Sequence, residues 1–212
     1  MPFGDVIDDP SALRQLYRNP SALVAGKDRP TIDDATKAFI ERSTFVVVGT
    51  VGRGGADVSP KGGPSGFVQV LDPTWLAIAD YSGNNRLDGM SNLLTDDRVG
   101  LLFVVPGRSE TVRVNGRAAI TIDADVIARF PDTMRQPKAA IGVQVASTFV
   151  HCAKAFQRGG MWDPDHWARL DDAPDAADIL ASQGVVPAGA EAIRSDLTAG
   201  YAASARDDAA RT

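Results

Sequence analysis

Between Ser43 and Cys152 the chain strings short β-type stretches together with tight turns, and its few helical stretches there do not alternate with them. "STFVVVGTV" is rich in β-branched residues, "GRGG" turns it, and "ADVSP" returns. "GFVQVLD" and "TWLAIAD" form a second pair, divided at Asp72-Pro73. "RVGLLFVVP" reads as a buried strand, "ETVRVNGRAAITID" as a long alternating one, and "AAIGVQVASTFVHC" as another. A doubly wound parallel sheet needs a helix after each strand, so that architecture is excluded. The pattern predicts a mainly β chain of the α+β type: a closed antiparallel barrel with helical additions.

Helices flank this region. "DPSALRQLY" and "NPSALVAGK" each set a capping residue, Asp9 or Asn19, before a proline at the first helical position. "TIDDATKAFIERS" reads as a third helix capped by Thr31, with Phe39 and Ile40 toward the core. "NNRLDGMSNLLTDD" has Leu87, Met90, Leu93 and Leu94 at helical spacing, and "DADVIARF" is a further short helix. After Trp162, Asp and Ala dominate, which predicts one or two amphipathic helices and a disordered end over the last seven residues. The expected organisation is a helical segment over 1–36, a barrel over 37–165 and a helical extension over 166–212.

Composition narrows the function. The chain has 212 residues, a net charge of −5 and no long basic run, which argues against broad binding to nucleic acid or to an anionic membrane. No apolar run is long enough to span a bilayer, and "MPFGDVIDDP" is no secretory signal, so the expected location is cytoplasmic. One cysteine, Cys152, and two histidines, His151 and His166, exclude a disulfide framework and Cys-rich or His-rich metal sites. No serine sits in a G-x-S-x-G elbow. His151 and Cys152 are neighbours on a strand, so they are expected to face opposite ways and not to pair. "GTVGRGG" does not fit a dinucleotide loop, because a strand follows where a helix should open.

Three stretches combine glycine with basic or amide groups beside strands. In "DVSPKGG", Pro60 is expected to end the strand, and Gly62 and Gly63 let the backbone approach a ligand. Ser59 and Lys61 flank that break, a set that suits a phosphate or the polar edge of a flat ring; a surface turn with a solvated lysine is the plainer alternative. In "SGNNRLD", Asn84 or Asn85 would start a helix with Arg86 in its first turn. A cation there opposes the helix dipole unless an anion binds, the alternative being an exposed arginine. In "ETVRVNGRAAI", Val112, Val114, Ala118 and Ile120 share one face, and Thr111, Arg113, Asn115 and Arg117 share the other. The polar face would meet solvent, line a groove or form a dimer contact.

Taken in order, "DVSPKGGPSGFVQVLD", "LAIADYSGNNRLDGMSNLL", "VGLLFVVPGRSETVRVNGRAAI", "FVHCAKAF" and "MWDP" resemble the pyridoxamine 5′-phosphate oxidase-like flavin proteins, a split β-barrel family, over roughly residues 35–165. The resemblance is to a branch of FMN-dependent enzymes. It implies a homodimer with FMN in grooves between two barrels, acting on a small-molecule substrate or electron acceptor. It implies that Arg86 holds the FMN phosphate with Asn84 and Asn85. It further implies that Ser59, Lys61 and Gly62 lie along the flavin, that Thr111 contacts it with Arg113 and Asn115 nearby, and that Trp162 stacks near the ring from the partner chain. Lys61 or Arg113 would stabilise negative charge on the reduced flavin. The arginine-containing C-terminal motif of true pyridoxamine phosphate oxidases is not apparent, so the resemblance does not extend to the vitamin B6 reaction. No residue stands out as a protein acid or base, which suits chemistry borne by a cofactor. Two rival readings are a flavin- or haem-binding carrier without turnover, and a reductase using the deazaflavin coenzyme.

Overall fold

A computed structural model describes residues 3–167 and 173–209. Seven strands form one antiparallel sheet: β1 Phe45–Gly52, β2 Gly55–Gly62, β3 Val68–Asp72, β4 Trp75–Asp80, β5 Arg98–Val104, β6 Thr111–Thr121 and β7 Ala139–His151. Their order is β2-β1-β5-β6-β7-β4-β3. The sheet curls into a split barrel whose end strands, β2 and β3, are consecutive in sequence yet lie at opposite edges. The segment between them crosses the split and inserts Phe67, which is fully buried.

The hairpin expected at "GRGG" is present, with Gly52 paired to Gly55. Pro60 does not end β2; it pairs with Val47 and the strand runs on to Gly62. β2 is an edge strand, so the missing N–H of Pro60 costs no ladder bond. Along β1, Val46, Val48 and Thr50 point inward and are buried. Val46 and Val48 meet Phe103, Val112, Val114, Ile141 and Leu76 in one core.

The helices fill the ends. α1 (Pro10–Gln15) is capped by Asp9 as expected. α2 (Ala22–Ala25) is capped by Ser21, not Asn19, and starts two residues later than its proline suggested. α3 (Asp34–Arg42) is capped by Asp33, whose carboxylate accepts from the Thr36 N–H at 2.7 Å, in place of Thr31. Ile40 of α3 is fully buried and Phe39 packs beside it. α4 is only Asp88–Leu93. Leu93 and Met90 reach the core, whereas Leu87 and Leu94 are exposed. Asn92 ties α4 to the first hairpin by donating to Thr50 Oγ1 at 3.1 Å and to Asp57 at 3.0 Å.

α5 (Ala124–Ile127) and α6 (Lys154–Arg158) are short. α7 (Ala176–Ser182) and α8 (Ala190–Asp208) pack on each other through Ala177 and Ile193. Arg194 of α8 bonds Asp175, Asp178 and Glu191, locking the pair. α8 is helical through Asp208, so the disorder expected from residue 206 does not begin there; residues 210–212 lie outside the described part.

β6 and β7 are the longest strands, and their register shifts between Asn115 and Gly116, where Ala146 of β7 is the extra residue. This bulge keeps β6 in strict alternation. At Gly116 a Cβ would overlap the Gln144 carbonyl oxygen of β7, so backbone approaches backbone with no room for a side chain. Gly116→Ala is therefore expected to destabilise the fold by about 1–3 kcal/mol or more, read as a lower urea midpoint with unchanged slope.

Candidate functional site

Two cavities flank the β2-β1 edge of the sheet, on opposite faces. The first, about 650 Å³, opens at the split. Its walls come from the inward-facing Val48 of β1, Ser59 and Lys61 of β2, the end of β4 with Tyr81, the loop 82–87, and the segment Arg135–Ala139 before β7. Lys61 bonds Asp80 at 2.5 Å, with both side chains about one-fifth exposed (21% and 20%). This ion pair joins β2 to β4 across the split.

Asn84 and Asn85 line this cavity, but no helix begins at either of them. The Asn84 carboxamide accepts from the Arg86 N–H at 3.1 Å, and Asn85 and Leu87 adopt positive φ of 58° and 60°. These left-handed residues hold the chain out of the helix until Asp88. Arg86 consequently precedes the helix instead of occupying its first turn. Its guanidinium is exposed, absent from the cavity wall, and bonded to Asp88 at 2.7 Å. The dipole argument for Arg86 thus loses its basis, and Asp88 is what the arginine faces.

Sequence reasoning missed Tyr81, Arg135, Lys138 and Asp208, all of which line the same cavity. The Tyr81 hydroxyl is buried without a hydrogen-bond partner among the described residues. Burial first, and then the charge of Asp208, hold it above the usual tyrosine range. The end of α8 reaches the cavity because the Arg135 N–H donates to the Asp208 carbonyl at 2.9 Å and Met134 bridges to Ala209. Only "RQPK", which repeats the proline-lysine pairing of "SPK", hinted at Lys138.

The second cavity is a groove of about 380 Å³ on the outer face. Thr111, Arg113 and Asn115 of β6 line it together, as their alternation required. Val47, Val58 and Leu102 form an apolar wall, and Phe156 of α6 closes one side. Asn115 donates to Ser147 at 3.2 Å. The Arg113 guanidinium lies 5.0 Å from the centre of the Phe149 ring, and Lys27 Nζ lies 4.9 Å from the same centre. His151 and Cys152 both line the groove; β7 ends at His151, Cys152 lies just past it, and no hydrogen bond joins the two among the described residues. Burial, then Lys27 and Arg113, lower the His151 pKa from 6.5.

The sequence-predicted residues therefore fall into two sets. Ser59, Lys61, Gly62, Asn84 and Asn85 meet at the first cavity, and Thr111, Arg113 and Asn115 at the second. Trp162 lines neither. Its indole N–H donates to the Arg108 carbonyl at 2.7 Å and its ring packs on Phe156 at 5.7 Å, bracing α6.

A family model described as pyridoxamine 5′-phosphate oxidase matches residues 32–152, more than half of the chain, from just before α3 to the end of β7. The chain belongs to this family. Similar solved structures include HupZ of Group A Streptococcus, at 21% identity and a TM-score of 0.45 over 56% of this chain and 93% of that one. General Stress Protein 26 of Bacillus anthracis aligns at 14% identity and a TM-score of 0.42, covering 53% of this chain and 88% of the other. An FMN-binding protein of Syntrophomonas wolfei aligns at 13% and 0.40, covering 55% and 83%. No curated protein matches. Among the described residues no helix is long and apolar enough to cross a membrane, and no cluster of three or more His, Cys, Asp or Glu could hold a metal.

The Lys61–Asp80 pair gives a direct test of how the first cavity is held. Lys61→Met leaves the mostly buried Asp80 carboxylate unpaired and is expected to cost about 1–3 kcal/mol in urea unfolding. Lys61→Met combined with Asp80→Leu should recover most of that loss, because an apolar pair carries no unmet charge.

Proposed function

We propose that the protein is an FMN-dependent oxidoreductase that works as a homodimer, each FMN lying between the split-barrel cavity of one copy and the outer groove of the other. The observation that carries this reading is the division of the candidate binding residues between opposite faces of one sheet. Val48 faces the first cavity and its neighbour Val47 the second. One flavin can touch both sets only if two chains supply them.

The residues at the first cavity fit such a ligand. A volume of about 650 Å³ lies within the range of cofactor sites. The orphaned Tyr81 hydroxyl offers an unused hydrogen bond, and Ser59, Asn84 and Asn85 offer more. Gly62 lines the wall, and next to it Gly63 leaves room for Phe67 and the Tyr81 ring, which a Cβ there would strike. Dimerisation is supported by apolar side chains left in water. Phe45 and Val58 are exposed on the sheet, and Leu13, Leu16, Tyr17 and Leu23 on the N-terminal helices.

When bound, the flavin would supply hydride or electron transfer. The chain's part is to hold and orient it. Asn84, Asn85 and Arg86, released from Asp88, would take the phosphate. Ser59 and the backbone at Gly62 would border the ring, and Thr111 and Asn115 of the second copy would meet its polar edge. The substrate is a small molecule able to reach the groove.

Two measurements test this reading. Purified protein should absorb near ~450 nm, and Arg86→Ala should weaken FMN binding roughly ten- to a hundredfold while leaving riboflavin unchanged, the loss of one charge-assisted contact of about 1.5–3 kcal/mol. Equal losses for both ligands would remove Arg86 from the phosphate. Separately, Asn85→Leu and Thr111→Val, each deficient in FMN binding alone, should regain binding when refolded together, because a mixed dimer places both changes at one site and leaves the other intact. Absence of recovery in mixed dimers refutes the shared site.

A further inference from the structure

We infer that the outer groove binds a small organic anion, with its carboxylate or equivalent group at Arg113 and its flat apolar body against Val47, Val58 and Leu102.

The charge distribution carries the inference. In a chain of net charge −5 carboxylates are plentiful, and the first cavity carries Asp80, Asp88 and Asp208 among its walls beside Lys61, Arg135 and Lys138. Lys61 has Asp80 and Arg86 has Asp88, while Arg117 on the same strand as Arg113 has Asp97. The groove is different. No Asp or Glu lines it. Arg113 bonds no carboxylate among the described residues; it stacks on Phe149 alone. Lys27 is close by on the same ring and spends its ammonium on the Val150 carbonyl at 2.9 Å. Two cations held close to one ring raise the local positive potential, and an anion bound at Arg113 in the groove lowers it.

The polar groups around Arg113 are also waiting for a partner. His151 Nδ1 is buried with none among the described residues. Lys27 and Arg113 are the charged groups that act on His151, and both disfavour its protonation. Thr111, opposite His151 in the β6–β7 pairing, is buried at 3% exposure. Beyond the Thr111 and Asn115 assigned to the flavin edge, the groove thus offers a guanidinium fork and a neutral imidazole beside an apolar wall. That combination matches an anion with a flat, greasy body rather than inorganic phosphate. A volume of about 380 Å³ accommodates one or two rings. The anion site stands on the single chain. Reading its occupant as the substrate of the flavin rests on the dimeric arrangement above.

The two histidines make the test direct, because exposed His166, bonded to Asp163 at 2.7 Å, serves as an internal reference for His151 in an NMR titration. Flavin-free full-length protein is titrated with benzoate and with benzamide, its uncharged counterpart of equal shape. Benzoate and benzamide bury the His151 ring alike, so the His151 midpoint should lie higher with benzoate than with benzamide, by the charge benzoate brings to Lys27 and Arg113. Arg113→Gln should weaken benzoate at least about tenfold. Val58 is an exposed edge position in the groove wall of the single chain, so its replacement leaves the core alone, and light scattering on each variant separates a lost dimer from a changed anion site. Val58→Asp should weaken benzoate and Val58→Lys strengthen it. Equal responses to benzoate and benzamide, or benzoate affinity indifferent to both Val58 charges, overturns the inference. Benzoate binding in protein that takes up no FMN would uphold the anion site and defeat the flavin reading; FMN binding without a benzoate response would do the reverse.

Discussion

Strict alternation along the strands of a curled sheet governs everything else in this protein. Each strand has an inner face that must be apolar, because the barrel interior is sealed by Phe67, Phe103 and Leu76. The long polar side chains of β6, Arg113, Asn115 and Arg117, are then forced outward, while Thr50 of β1 is buried inside against Asn92. Alternation survives along β6 because the register shift opposite Gly116 takes its extra residue, Ala146, from β7. Had β6 carried the bulge, Arg113 and Arg117 could not have shared a face.

From that constraint the two candidate sites follow as separate places. The split is where the sheet fails to close, so polar groups can approach the interior there without crossing the core. Lys61 and Asp80 use the opening to join β2 to β4. Such a pair contributes little net stability over an apolar one, since both charges lose water. Its structural effect is positional: it fixes the width of the cavity mouth beside Tyr81 and Ser59. The outer groove has no such closure. It is bounded by the exposed side of the hairpin and by α6, which Trp162 braces through the Arg108 carbonyl.

How much of this was legible in the sequence depends on range. Strand identity, the first hairpin and the shared face of Thr111, Arg113 and Asn115 are local patterns, and all three appear in the structure. Edge status is not local. Pro60 reads as a strand end until β2 is known to have only one neighbour. The start of α4 was misread for a different reason. Leucine and methionine spacing is blind to backbone sign, and the left-handed Asn85 and Leu87 delay the helix to Asp88. Arg135, Lys138 and Asp208 reach the first cavity from segments remote in sequence, so no spacing rule could place them there. The same holds for His151, whose surroundings are set by the pairing of β6 with β7 and by Lys27 arriving from the N-terminal region.

Pairing of charges separates what the two cavities can hold. At the first, the lysine and the carboxylate already satisfy one another, so a ligand must either compete for Lys61 or use the loop at Asn84–Asn85 and the cations of the segment before β7. Competition with Asp80 costs the ligand the energy of that pair, which favours groups of higher charge such as a phosphate over a carboxylate. At the groove nothing has to be displaced. Arg113 is held in place by the Phe149 ring, a contact that orients the guanidinium without neutralising it. On the inference above, a monoanion would suffice there, because its charge would meet a cation that bonds no carboxylate among the described residues. The same sheet thus carries a cavity with both signs of charge on its inner rim and an acid-free groove on its outer face, and the side of the strand on which a residue falls decides which of the two it lines.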